Sequence, residues 1–216
     1  MRQATQLLAA SLLLGTSAHA AKDPRPNLLF AISDDQSWVH ASAYGYDAVS
    51  TPAFDRVARE GVLFTQAFSP TPGCSPTRAA FLTGRHSWMI EHAGTYASSF
   101  PRRYAVWPDS GERSGYVIGA TGKLWGPGNW EVIGWERNPA GSAWSRLELS
   151  PPAEHIRRTD YAANFEEFLD QRPKDRPFAF WYGASEPHRA FAPGIGLRSG
   201  KKLEDVVVPP FLPDVP

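Results

Sequence analysis

Cysteine is almost absent from this chain. Its 216 residues include one, Cys74, which excludes an intrachain disulfide and any zinc site built on cysteines. A charge excess of either sign is missing too. The 22 basic side chains balance the 22 acidic ones, which argues against a nucleic-acid binder running on bulk positive charge. Beyond the first 20 residues no run is long and apolar enough to span a bilayer. Internal repeats are not visible. Charged residues are only 20% against 42% apolar, which is a globular balance and not a disordered one. The length suits one sizeable domain.

Proline and tryptophan, by contrast, are plentiful. The 20 prolines and eight tryptophans point to a loop-rich protein with aromatic surfaces. Residues 1–20 read as a secretory signal peptide. Arg2 gives the positive start, Leu7 to Leu14 the short apolar core, and Ala18-His19-Ala20 the cleavage pattern before Ala21. The expected location is therefore secreted or periplasmic. Residues 21–216 then carry the fold, and packing or chemistry must account for an exported lone cysteine.

Strand and helix signals alternate. Asn27 to Ser33 is a continuous apolar run, the mark of a strand buried on both faces. Thr51-Pro52 predicts an N-cap followed by proline, with Gly61 closing that helix. Val62 to Phe68 is a short strand candidate, and Ser75-Pro76 repeats the cap-then-proline signal for a helix closed by Gly84. Tyr116 to Ala120 and Phe178 to Tyr182 are further strands, separated by an amphipathic helix capped by Thr159. This order argues for an α/β protein with a parallel sheet flanked by helices.

In such sheets ligands gather beyond the carboxyl ends of the strands. Three strands here end in polar groups: Asp34-Asp35, Lys123 and His188. Asp34 and Asp35 repel each other unless a cation or donors lie between them. Together they suit a hard ion such as calcium or magnesium; otherwise one caps a turn and the other is solvated. Cys74 stands just before a predicted helix N-terminus, where an anion is favoured, and Arg78 lies one turn further on. A small buried cysteine is the competing account. His188 is either a site residue or a hydrogen-bonded surface histidine. Trp125, Trp130, Trp135 and Trp144 are either sugar-stacking faces or core. Glu91 and His92 add polar groups that could meet a substrate.

The string Cys74-Ser75-Pro76-Thr77-Arg78, followed by Thr83-Gly84-Arg85, resembles the signature of the type I, formylglycine-dependent sulfatases. Asp34-Asp35, Thr51-Pro52 with Asp55, Gly122-Lys123 and Pro187-His188 match further family elements, so the resemblance covers about residues 25–216. The ending, Asp205 to Pro216, looks like that of the heparan N-sulfatase and iduronate-2-sulfatase branches.

The resemblance implies an alkaline phosphatase-like fold with a mixed, largely parallel sheet, here expected to be incomplete on its C-terminal side. It implies that a formylglycine-generating enzyme oxidises Cys74 to formylglycine. Asp34, Asp35 and modified Cys74 would hold one Ca2+ ion. Arg78 would orient the hydrated aldehyde, Lys123 would neutralise the sulfate, and His188 would contact sulfate or protonate the leaving group. The implied substrate is a sulfated glycan, and the implied activity sulfuric ester or N-sulfate hydrolysis. Phosphoester and phosphonate hydrolases of the same superfamily share the C-x-P-x-R string and remain an alternative, as does an inactive remnant. Two departures stand out. No histidine follows Lys123 within a few residues, and no S-D-N/H-G motif supplies the later metal ligands. The chain is accordingly expected to be the N-terminal portion of a longer catalytic domain, and to be marginally stable or aggregation-prone alone.

Overall fold

The computed structural model describes residues 23–188, 192–208 and 210–215. The expected signal peptide lies outside the described residues.

Three strands are described: β1 (Leu28–Asp34), β2 (Val117–Gly122) and β3 (Phe178–Pro187). They form one sheet in the order β1-β3-β2, and both pairings are parallel. The helices are α1 (Pro52–Glu60), α2 (Cys74–Thr83), α3 (Trp107–Arg113), α4 (Tyr161–Gln171) and the single-turn α5 (Ile195–Arg198).

β3 is central, and side chains alternate across its faces. Phe178 and Phe180 pack with Phe168 of α4, joined by Tyr182, Phe165 and Trp144. Trp181, on the other face, packs with Ala79 and Leu82 of α2, and with Phe100 and Trp125. The helices thus cover opposite faces of the sheet. Gly119 of β2 is needed for this: a Cβ there would meet the Phe168 ring at 2.7 Å and Phe180 at 2.9 Å. α4 is capped by Asp160, whose carboxylate accepts the Ala163 N–H at 2.9 Å. Behind the cap Asn164 is fully buried, and its amide exchanges hydrogen bonds with the Leu147 backbone at 3.0 and 2.9 Å.

The structure corrects several sequence expectations. β1 is not buried on both faces, since Leu28 and Leu29 are 38% and 52% exposed. It pairs on one side only, with β3, and α1 buries none of its own residues. Residues 62–68 form no strand, because nothing pairs alongside them; Val62, Phe64 and Phe68 are exposed. The helix expected to be capped by Ser75 starts earlier, with Gly73 at the N-cap and Cys74 as its first residue. The Ser75 hydroxyl instead accepts the Ala97 N–H. Pro76 is tolerated there because first-turn N–H groups lack helical partners anyway. Asp160, not Thr159, caps α4. Thr51 stands at the α1 N-cap, but its hydroxyl donates to Asp55 at 2.9 Å and accepts the Ser42 N–H at 3.0 Å.

Candidate active site

All described strands run the same way, so their carboxyl ends share one edge of the sheet. β1 ends at Asp34, β2 at Gly122 just before Lys123, and β3 at Pro187 just before His188. A cavity of about 630 Å³ opens at this edge, and Asp34, Asp35, Cys74, Arg78 and His188 all line it. Five of the six candidate residues therefore meet. Lys123 is not part of the cavity wall; its ammonium reaches the site by donating to the Asp34 carboxylate.

The backbone explains how adjacent aspartates share one cavity. Mid-strand neighbours face opposite sides of a sheet. Asp35, however, takes the left-handed conformation with φ 59°, which aspartate adopts more readily than most residues. The chain turns there, so the buried Asp34 and the exposed Asp35 both line the cavity.

Asp34 is the electrostatic centre. Its Oδ1 accepts from Arg78 Nη2 at 3.3 Å, and its Oδ2 accepts from Lys123 Nζ. Arg78 also donates through Nη1 to the carbonyls of Lys123 at 2.6 Å and Leu124 at 3.3 Å, and its guanidinium lies 5.6 Å from the Trp181 ring centre. Burial pushes the Arg78 pKa down from its ordinary value, while the nearby Asp34 carboxylate works against that. Arg78 is thus fixed on three sides. The His188 backbone is fixed too, its N–H donating to the Asp34 carbonyl at 3.1 Å.

Cys74 opens a ten-residue helix. First-turn amides have no helical acceptor and carry the positive end of the helix dipole. Pro76 has no N–H, so the Cys74 and Ser75 amides are the earliest donors beside the cysteine side chain.

The donor set is a test of fit for a divalent ion. Asp34 and Asp35 offer carboxylate oxygens and Gln36 an amide on the same cavity wall. Oxygen donors suit hard cations such as calcium or magnesium. Among the described residues no three His, Cys, Asp or Glu side chains converge as a metal cluster. The residues present fit such an ion in kind and would supply part of its shell.

The tryptophans pack on the core and not on the cavity: Trp125 is buried, and Trp130, Trp135 and Trp144 are half-buried. Trp125 is 3% exposed, with its indole N–H donating to the Ser75 carbonyl at 3.1 Å. Trp135 donates to the Phe100 carbonyl at 2.7 Å, Trp144 packs on Phe168, and Trp130 packs against the α2-side core. None of the four lines the cavity. Glu91 does not line it either; it accepts from the Tyr104 hydroxyl at 2.7 Å and pairs with Arg103. Sequence reasoning missed Ser69, Thr71 and Tyr96, which do line the cavity. The position of Ser69 and Thr71 in the loop before Cys74 was an available signal, whereas nothing local marks Tyr96.

Comparison with known proteins gives a concordant result. The family model described as Sulfatase matches residues 26–195. The chain is 29% identical over 204 residues to an N-acetylglucosamine-6-O-sulfatase of Bacteroides thetaiotaomicron, covering 85% of this chain and 35% of that protein. It is 45% identical over 107 residues to the N-acetylgalactosamine-6-sulfatase of Rattus norvegicus, covering 49% of this chain and 20% of that protein. A solved structure of a protein with its substrate D-glucosamine-2-N,6-O-disulfate superposes with a TM-score of 0.63 at 26% identity, covering 81% of this chain and 38% of that one. A phosphonate monoester hydrolase of Agrobacterium radiobacter superposes with a TM-score of 0.54 at 19% identity, covering 78% of this chain and 42% of that one, a likeness of fold alone. The α/β architecture is the alkaline phosphatase-like one. The chain spans about a third of the length of the bacterial relative.

Proposed function

The chain belongs to the sulfatase family, and from that premise we propose that it hydrolyses sulfate esters, or N-sulfates, of sulfated glycans. One observation carries the proposal. Cys74, the first residue of α2, shares a single cavity with Asp34, Asp35, Arg78 and His188.

Sulfatases generally use a formylglycine residue and a divalent metal ion. The formylglycine made here from Cys74 would supply a hydrated aldehyde, whose paired hydroxyls accept the sulfate and then release it. Ca2+, held by Asp34, Asp35 and the modified Cys74, would supply Lewis-acid charge against a sulfate oxygen.

The other roles belong to the chain's own side chains. Arg78 keeps a positive charge against the reacting group. Its other bonds, to Asp34 and to the Lys123 and Leu124 carbonyls, hold it there before any substrate arrives. Lys123 places a second cation on Asp34, so the site is prepared for an anionic sulfate. The Cys74 and Ser75 amides add donors at the helix N-terminus. His188, at the cavity rim, hands a proton to the leaving oxygen or nitrogen.

The bacterial relative is named for a 6-O-sulfated amino sugar, and the superposed substrate complex holds a sulfated glucosamine. A sulfated amino sugar is accordingly the proposed substrate class for this chain. A formylglycine-generating enzyme is the proposed maturation partner. Among the described residues no helix is long and apolar enough to cross a membrane, and the secreted or periplasmic location belongs to the proposal.

The test pairs glucosamine 6-sulfate with glucosamine 6-phosphate, assayed on the chain co-expressed with the maturation enzyme. Release of sulfate that disappears in Cys74→Ala supports the proposal. Turnover of the phosphate ester alone assigns the site to phosphoester chemistry instead.

A further inference from the structure

Tyr161 has no part in the chemistry above, yet it touches two of the strand ends that carry it. It is the first residue of α4, and the Asp160 cap fixes the turn in which it stands. Its hydroxyl accepts the Ser185 N–H at 3.1 Å and donates to Glu186 Oε2 at 2.8 Å. The other Glu186 oxygen accepts the Arg157 N–H at 2.9 Å. Ser185 and Glu186 lie where β3 leaves its regular register: Ile32 pairs with Gly183, but Asp34 pairs with Pro187. Such an irregular stretch lacks ladder bonds of its own, and the Tyr161 hydroxyl supplies one.

The ring reaches the neighbouring strand. Gly122 ends β2 with φ 71°, and a Cβ there would come within 2.5 Å of Tyr161 Cε1 and 2.1 Å of the Gly183 carbonyl. The tyrosine ring therefore packs directly on the Gly122 backbone. The next residue, Lys123, donates its N–H to the Gly183 carbonyl at 2.7 Å. Burial pushes the Tyr161 pKa up, which keeps the phenol a neutral donor to Glu186.

We infer that Tyr161 is a positioning residue: its hydroxyl and ring clamp the end of β3 to the end of β2 and so set Lys123 and His188 relative to each other. A misplaced group costs turnover more than binding when it acts on the reacting atoms. The inference rests on the proposed sulfatase activity only in the turnover half of its test.

The test replaces Tyr161 with Phe in the full chain and measures two things. Hydrogen exchange is followed at the Ser185, Lys123 and His188 amides, with Phe180 and Trp181 as internal references. Loss of one hydrogen bond is expected to speed the three amides roughly fivefold over the references. For the matured protein on glucosamine 6-sulfate, kcat is expected to fall roughly tenfold while KM holds within about twofold. Tyr182→Phe is the control, a half-buried tyrosine with its ring centre 5.6 Å from that of Tyr161, and it should change neither reading. If Tyr161→Phe does not fold, Glu186→Ala removes the carboxylate that accepts from the Tyr161 hydroxyl and is read at the same amides. Unchanged exchange at the three amides overturns the inference whatever the turnover. A uniform rise across the sheet with a lower Tm also overturns it, since that is ordinary structural support. Local exchange that rises while even the wild type shows no sulfate release supports the clamp and counts against the sulfatase activity.

Discussion

Nη2 of Arg78 lies 3.3 Å from Oδ1 of Asp34, and the two side chains are only 4% and 6% exposed. A buried ion pair gives little net stabilisation as a pair, and removing Arg78 leaves Asp34 with Lys123 as its remaining cation. Arg78→Ala is therefore expected to lower the unfolding free energy by about 1.5–3 kcal/mol, the worth of a hydrogen bond to a charged group. Arg78→Lys should recover little of it, because a lysine cannot reproduce the forked contacts to Asp34 and two carbonyls. Urea denaturation of the three proteins measures this. A loss below about 1 kcal/mol for Arg78→Ala would show that water reaches the pair.

The same carboxylate is one of the three proposed ion ligands. Asp34→Asn and Asp35→Asn should each reduce the rise in Tm on adding calcium, since a ligand that binds only the folded state stabilises it by mass action. Differential scanning fluorimetry across a calcium series is the measurement. Equal shifts in wild type and both variants would remove the aspartates from the ion site.

Burial pushes the Tyr161 and Tyr182 phenols above the ordinary 10.0. A phenol with a raised folded pKa holds its proton more tightly when folded. Its contribution is fully present below the unfolded value and is lost as pH rises through the folded one. Stability from these groups should be level through neutral pH and decline above about pH 10. Tyr161→Phe should make that decline shallower. Urea midpoints at roughly pH 8 and pH 11 in both proteins check the sign.

Packing behind the site is tight enough to punish both loss and gain of volume. Phe168 is fully buried between Phe178 and Phe180, so Phe168→Ala should cost about 3–5 kcal/mol. Gly119→Ala pushes a methyl group into the same ring and should cost about 1–3 kcal/mol. Comparing each single variant with the double shows whether the space left by Phe168 relieves the added methyl. Simple additivity would contradict the contact.

Much of this was legible in the sequence. The runs at 27–33, 116–120 and 178–182 are continuous and apolar, a pattern that covered strands of a parallel sheet share, so β1, β2 and β3 fell near their predicted places. Once the strands are parallel, Asp34, Lys123 and His188 must gather at one edge. What the sequence hid is set by distant contacts. Ser75 carries a cap-like hydroxyl, but the Ala97 N–H claims it. Trp125 resembles a sugar platform until its indole N–H is seen on the Ser75 carbonyl. Tyr161 scores as one more apolar residue on a helix face, and only the fold brings its hydroxyl to Ser185 and Glu186. The exposed side of β1 was hidden for the same reason: an apolar run records that a strand is suited to cover, not which neighbours provide it.

The central claim is that Cys74 becomes the sulfate-accepting group of this cavity. Mass spectrometry of the tryptic peptide Glu60–Arg78, from chain co-expressed with a formylglycine-generating enzyme, tests it most directly. The account predicts that the Cys74 thiol is replaced by an aldehyde, and that release of sulfate from glucosamine 6-sulfate rises in proportion to the converted fraction. Sulfate release from a chain whose Cys74 remains an unmodified thiol would contradict it.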